Sequence, residues 1–338
     1  MDQHSDTWSK LVFRVSALPN DVEIMEDVAS LLSLRLGGFP VGCIRVCSLA
    51  VTMDYTLNKR QSRRTKVATV MFQTLPSLIQ NNEKQQEWCV PARGHHGDED
   101  VILDTHFMGM TPLNDVGSNH AIEYTYLSAR IFSTLKFSSC IAISGLASHP
   151  FGSWQPKGRD KTFMWVRDAL PKDLLGIRAV IYGYNTRLDS SQSFQTITDL
   201  AQALISQLQT YGWSLSFAKP VVFLAHSLGG LVLREAMVQL YNSSNDEYRS
   251  LLEHFRGALF FGVPNLGMEQ SHFRMVAHNN PNSALVEDIA RNSNYLHGLN
   301  DLFSRASFSG RPKFFWAYET SKSPTIQVSQ LSRATVEF

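Results

Sequence analysis

A chain of 338 residues that is 43% hydrophobic and 18% charged is long enough to bury a sizeable core and to divide into more than one domain. Lys and Arg total 31 against 30 for Asp and Glu, a net charge of +1, so no global field directs the chain to nucleic acid or to an anionic membrane. No apolar run approaches the ~18 residues of a bilayer span, and the acidic, polar start Met1-Asp2-Gln3-His4-Ser5-Asp6 suits neither a secretory signal nor an arginine-rich transit peptide, so the expected setting is intracellular and cytoplasmic.

Residues 1–80 read as a small α+β region. Leu11 to Val15 is a strand, and Asp21 caps a helix running to about Leu36 with Val22, Met25, Val28, Ala29, Leu32 and Leu36 on one face, ended by Gly37-Gly38. Cys43–Cys47 and Lys66–Phe72 are two further strands joined by a polar turn. A βαββ start of this kind belongs to the split βαβ, ferredoxin-like class, which includes RNA-recognition modules. Such a module stacks bases on exposed aromatics of its central strands. Neither Ile44-Arg45-Val46 nor Val67–Val70 offers any, so the cluster Lys59, Arg60, Arg63, Arg64 and Lys66 reads as a solvated hairpin and no nucleic-acid partner is expected.

Residues 81–136 read as an irregular linker or docking segment. Its polar loop holds His95, His96, Asp98, Glu99 and Asp100, but adjacent histidines without a rigid element to fix them are weak ligands, and no metal is expected. Asp104 to Leu113 reads as an extended stretch that docks on the following domain. The four cysteines, Cys43, Cys47, Cys89 and Cys140, show no metal-ligand spacing and read as reduced, buried thiols.

From 137 to 338 the rhythm becomes strand, helix, strand, helix: Ser139–Ser144, Thr162–Leu170, Arg178–Tyr182, Phe194–Tyr211, then strands at Gly257–Gly262 and Lys313–Tyr318. That spacing predicts an α/β domain with a mainly parallel sheet, helices on both faces and active groups at the carboxyl ends of the strands. In its middle stands Val221-Val222-Phe223-Leu224-Ala225-His226-Ser227-Leu228-Gly229-Gly230, a buried strand that must turn into a helix within about two residues. Such a turn strains the residue at its apex and exposes its side chain, here Ser227, while Ala225, Gly229 and Gly230 supply the small neighbours. The pattern is A-x-S-x-G, with alanine where glycine is commoner.

A nucleophilic serine needs oxyanion donors, a base and an acid that orients the base. The Leu228 amide opens the helix, and Gly145 lets the loop after Ser144 turn so that the Leu146 amide faces Ser227. Glu319, directly after the Lys313–Tyr318 strand, stands in the acid position, with Asp189 and Asp301 as lesser candidates. No histidine follows Glu319. His149, His226, His254, His272, His278 and His297 read as structural or surface residues, with His149 and His272 the ones to test as substitutes.

The motifs Ile143-Ser144-Gly145-Leu146, Trp165 to Pro171, Ile181-Tyr182-Gly183-Tyr184, Ala225 to Val232, Phe261-Gly262-Val263-Pro264 and Tyr318-Glu319-Thr320 resemble the serine-active-site-containing esterase/lipase-like family, found at the head of fungal proteins with NACHT, ankyrin or tetratricopeptide segments. The resemblance covers about residues 100 to 327 and implies an α/β-hydrolase fold, Ser227 as nucleophile of an ester or phospholipid hydrolase, no cofactor, and peripheral association with mitochondrial or endoplasmic-reticulum membranes. The sequence departs from the family where Pro264-Asn265 replaces a usual Pro-His, and the family's last hydrolase strand, with its Asp-His pair, has no counterpart before Phe338. Two expectations follow: a serine hydrolase impaired by the absent histidine, or a catalytically inactive relative that binds and signals.

Overall fold

The computed structural model describes residues 8–9, 11–54, 63–82, 84–92, 99–116, 138–158, 161–185, 193–216, 218–269, 282–308 and 312–318. They fall into two compact units, Met1–Cys140 with Pro150–Gly183, and Ile141–His149 with Tyr184–Phe338.

The first unit opens with β1 (Phe13–Leu18), α1 (Met25–Arg35), β2 (Ile44–Asp54) and β3 (Arg63–Phe72), followed by the single turn α2 (Ser77–Gln80), β4 (Glu87–Val90) and β5 (Val101–Asp104). The strands form an antiparallel sheet in the order β2-β3-β1-β5-β4. With β3 inserted between β1 and β2, this is the split βαβ arrangement expected from the sequence. Phe13, Val15, Leu32, Val70, Phe72, Trp88 and Leu103 share one buried cluster beneath it.

Three local expectations change. Asp27, not Asp21, caps α1: its carboxylate accepts the amides of Glu23 (2.8 Å) and Ile24 (3.0 Å), reaching back across the first turn. The stretch read as irregular contributes β4 and β5, because Trp88, Val90, Val101 and Leu103 each turn inward at every second position. The same alternation turns Cys89 outward; only Cys140 of the four free cysteines is buried. Cys89 Sγ donates to Asp100 Oδ2 at 3.1 Å, and that carboxylate raises the thiol's pKa. His95, His96, Asp98 and Lys59 to Ser62 lie outside the described residues.

Also in this unit are β6 (Gly109–Pro112), the short helices α3 (Trp165–Asp168) and α4 (Leu170–Asp173), and β8 (Arg178–Gly183); β7 (Ser139–Ile143) crosses into the second unit. The helix expected over Thr162–Leu170 is split, with Pro171 in the first turn of α4. β6 pairs antiparallel with β8, so the extended stretch before Leu113 does become a strand.

The second unit contains α5 (Ile197–Thr210), β9 (Val221–His226), α6 (Leu228–Asn242), α7 (Asp246–Glu253), β10 (Phe255–Phe261), helices Ser283–Asp288 and Asn294–Arg305, and β11 (Lys313–Ala317). The end of β7 lies beside β9, and β9, β10 and β11 run parallel, with Ala225, Phe260 and Trp316 at one level. This is the α/β architecture that the strand and helix alternation demands. Among the described residues no helix is long and apolar enough to cross a membrane, and no group of His, Cys, Asp and Glu is placed to hold a metal ion.

Candidate active site

β9 buries Val221, Phe223, Leu224 and Ala225, and α6 begins immediately after Ser227. The whole reversal falls on that serine, which adopts φ 51° and ψ −123°. A positive φ is uncommon outside glycine and costs of order 1–3 kcal/mol, sustained only where the surroundings fix it. The fixing bonds are visible. Ser227 N–H donates to the Phe261 carbonyl at the end of β10 (2.9 Å), and the Ser227 carbonyl accepts from Gly230 (3.0 Å). Ser227 remains partly exposed rather than enclosed in the core.

Glycines bring the neighbouring backbone against this turn. A Cβ on Gly145 would come within 2.8 Å of Ser227 Cβ and 3.0 Å of His226 Nδ1. One on Gly229 would meet the Ser144 carbonyl at 2.4 Å, and one on Gly230 would meet Val263 Cγ2 at 2.2 Å. The loop after β7 and the first turn of α6 are therefore in direct contact. Leu228 is the first residue of α6, where amides lack intrahelical acceptors and the helix dipole is positive. Neither the Leu228 nor the Leu146 N–H has a backbone acceptor among the described residues. The loop itself is taut: Ala147 has φ 49°, Ser148 Oγ donates to the Leu146 carbonyl (3.1 Å), and the Tyr184 hydroxyl donates to the Ser144 carbonyl (2.8 Å).

The remaining expected residues divide sharply. Glu319, Asp189, His272 and His278 lie outside the described residues. Asp301 pairs with Arg305 at 2.8 Å on an exposed helix surface. His254 Nδ1 bonds the Ser250 carbonyl at 2.7 Å at the end of α7. His149 is exposed two residues beyond Ala147, and no described histidine is hydrogen-bonded to Ser227 Oγ. Sequence reasoning gave Tyr184 no role and missed the buried Arg234, which bonds Asn265 and Asn300; the signal for Arg234 was a charge, beside Glu235, within the apolar residues Leu231–Leu233 and Ala236-Met237.

Residues 164–330 match the family described as "Putative serine esterase (DUF676)". Protein SERAC1 of Danio rerio is 25% identical over 179 residues, 48% of this chain and 27% of that protein. The Homo sapiens protein of that name is 23% identical over 180 residues, with the same coverage. The match thus spans about a quarter of the length of these curated relatives. Among solved structures, Bacillus licheniformis lipase BlEst2 aligns with TM-score 0.35 and 13% identity over 54% of this chain and 64% of its own. Phospholipase PlaB of Legionella pneumophila aligns with TM-score 0.40 and 14% identity over 53% and 37%.

Proposed function

From a chain whose residues 164–330 are of serine esterase/lipase type, we propose a hydrolase of carboxylic esters, lipid esters in particular, with Ser227 as nucleophile. The observation that carries this is the positive φ of Ser227 at the turn between a buried strand and a helix, with Gly145 pressed against it. Ser227 Oγ attacks the acyl carbon and gives up its proton to a base, and the oxyanion is held by the amides of Leu228 and Leu146. Collapse expels the alcohol, which takes the proton, and water then releases the acid by the same route in reverse. Glu319 is the proposed orienting acid, and His149 and His272 are the candidate bases. Peripheral association with an organelle membrane belongs to the same reading, supported by the family resemblance.

The test is active-site labelling with a fluorophosphonate, comparing the chain with Ser227→Ala. Labelling of the first alone, with turnover of a p-nitrophenyl ester by the unlabelled parent, is the expected outcome. A second reading is a non-catalytic binding module, supported by Pro264-Asn265 standing where the family has a usual Pro-His. Failure of both proteins to label would rule out catalysis through Ser227 and leave the second reading standing.

A further inference from the structure

Arg234 lies two helical turns beyond Ser227 on α6 and is only 4% exposed. Its described hydrogen-bond partners are both neutral amides: Nη1 donates to Asn265 Oδ1 (2.6 Å) and to Asn300 Oδ1 (2.8 Å), while Nε has none. Its guanidinium carbon sits 4.6 Å from the centre of the Phe303 ring and 5.8 Å from that of Trp316. Burial lowers its pKa to about 10, so it remains a cation at neutral pH. Taking such a charge out of water costs several kcal/mol, and a helix that needed only packing here would carry an apolar residue.

What the cation holds is the turn after β10. Asn300 Nδ2 also donates to the Asn265 carbonyl (2.8 Å), which closes a triangle of Arg234, Asn265 and Asn300. The other end of that turn touches the serine: the Phe261 carbonyl accepts the Ser227 N–H, and Val263 occupies the space left by the missing side chain of Gly230. Gly262 N–H donates to the Ala317 carbonyl (2.9 Å), so β11 is tied to the same point. Resting on the serine-hydrolase reading, we propose that Arg234 is a positioning residue for Ser227: it pins the Gly262–Asn265 turn to the helix that Ser227 opens, and so fixes the carbonyl that holds the serine's backbone.

Arg234→Met in the full chain separates this role from a structural one. Methionine keeps the unbranched apolar stem, ends where Nε stood and removes the buried charge; relief of its desolvation opposes the loss of a donor to Asn265 Oδ1 and Asn300 Oδ1, so thermal stability changes little. The expected result is a Tm within about 3 °C of the parent, a fluorophosphonate labelling rate at Ser227 lowered about tenfold, and amide hydrogen exchange over 262–268 faster by about fivefold. Unchanged exchange over 262–268 overturns the proposal. If the parent chain exchanges as expected but does not label, the hydrolase reading falls while exchange still judges Arg234. Should Arg234→Met fail to fold, Asn265→Ala removes the same bond from the turn side, and the same acceleration over 262–268 is expected; its absence overturns the proposal equally.

Discussion

Gly145 and Ser227 are in contact: a side chain on the glycine would stand 2.8 Å from Ser227 Cβ, well inside the distance two carbons tolerate. The loop after β7 and the turn after β9 are fitted to each other with no space for a methyl group between them. Gly145→Ala must therefore push the loop outward and displace the Leu146 amide. The expected loss is about 1–3 kcal/mol of stability from overpacking and at least about a tenfold slower fluorophosphonate labelling. Thermal melts and labelling kinetics on the same preparation measure both.

The strain at Ser227 has a thermodynamic signature of its own. Glycine adopts positive φ freely, so Ser227→Gly should relieve the φ of 51° and abolish labelling at once. A rise of about 1 kcal/mol in stability is expected, and calorimetry shows whether stability and reactivity move in opposite directions.

In the first unit, Arg14 Nε donates to Asp104 Oδ2 at 2.7 Å, with the carboxylate fully buried. Asp104 also accepts the Phe107 amide (2.8 Å), and Phe107 has φ 51°. Asp104→Ala takes the buried carboxylate away from a partly buried guanidinium, which keeps only the neutral Met108 carbonyl and Thr111 hydroxyl, and frees a strained residue. A loss of about 2–4 kcal/mol is expected, read from urea unfolding followed by far-ultraviolet circular dichroism.

Asp288 supplies a pH dependence. Burial, opposed by a hydrogen bond from the Ile197 amide and reinforced by Glu287, Glu235 and Asp199, raises its pKa. A carboxyl group whose folded pKa lies above its unfolded value contributes stability below the unfolded value, near 3.9, and loses it as pH rises through the folded value. Asp288→Asn should thus melt higher than the parent at pH 7, with the difference vanishing as pH falls towards 4. Asp199, whose pKa the Thr196 amide and hydroxyl lower, behaves oppositely. Asp199→Asn should melt lower at pH 7 and converge with the parent in acid. A pH series of thermal melts on the two variants checks both signs.

The reversal at Ser227 was legible because it is local: a run of apolar residues, the polar pair His226-Ser227 and two glycines within ten positions dictate strand, turn and helix. The same held for β1, α1, β2 and β3, whose alternation is long enough to read. Short strands bounded by polar loops were not: β4 has four residues, with only Trp88 and Val90 turned inward. The cap of α1 was misplaced because Asp21 and Asp27 are equally plausible in one dimension, and only the backbone path decides which carboxylate reaches the Ile24 amide. Arg234 was opaque for a different reason. Its partners, Asn265 and Asn300, lie 31 and 66 residues away, and nothing in the sequence pairs them. Glu319 lies beyond the described residues, and its part in the site remains a proposal.

The bond from the Tyr184 hydroxyl to the Ser144 carbonyl reaches further than one contact. A carbonyl and the following amide share one rigid plane, so clamping the Ser144 oxygen also sets the direction of the Gly145 N–H. A crankshaft rotation about the Ser144–Gly145 peptide would have to break the phenol's grip first. One oxygen atom at the ring's far end thus acts as a pawl on the loop.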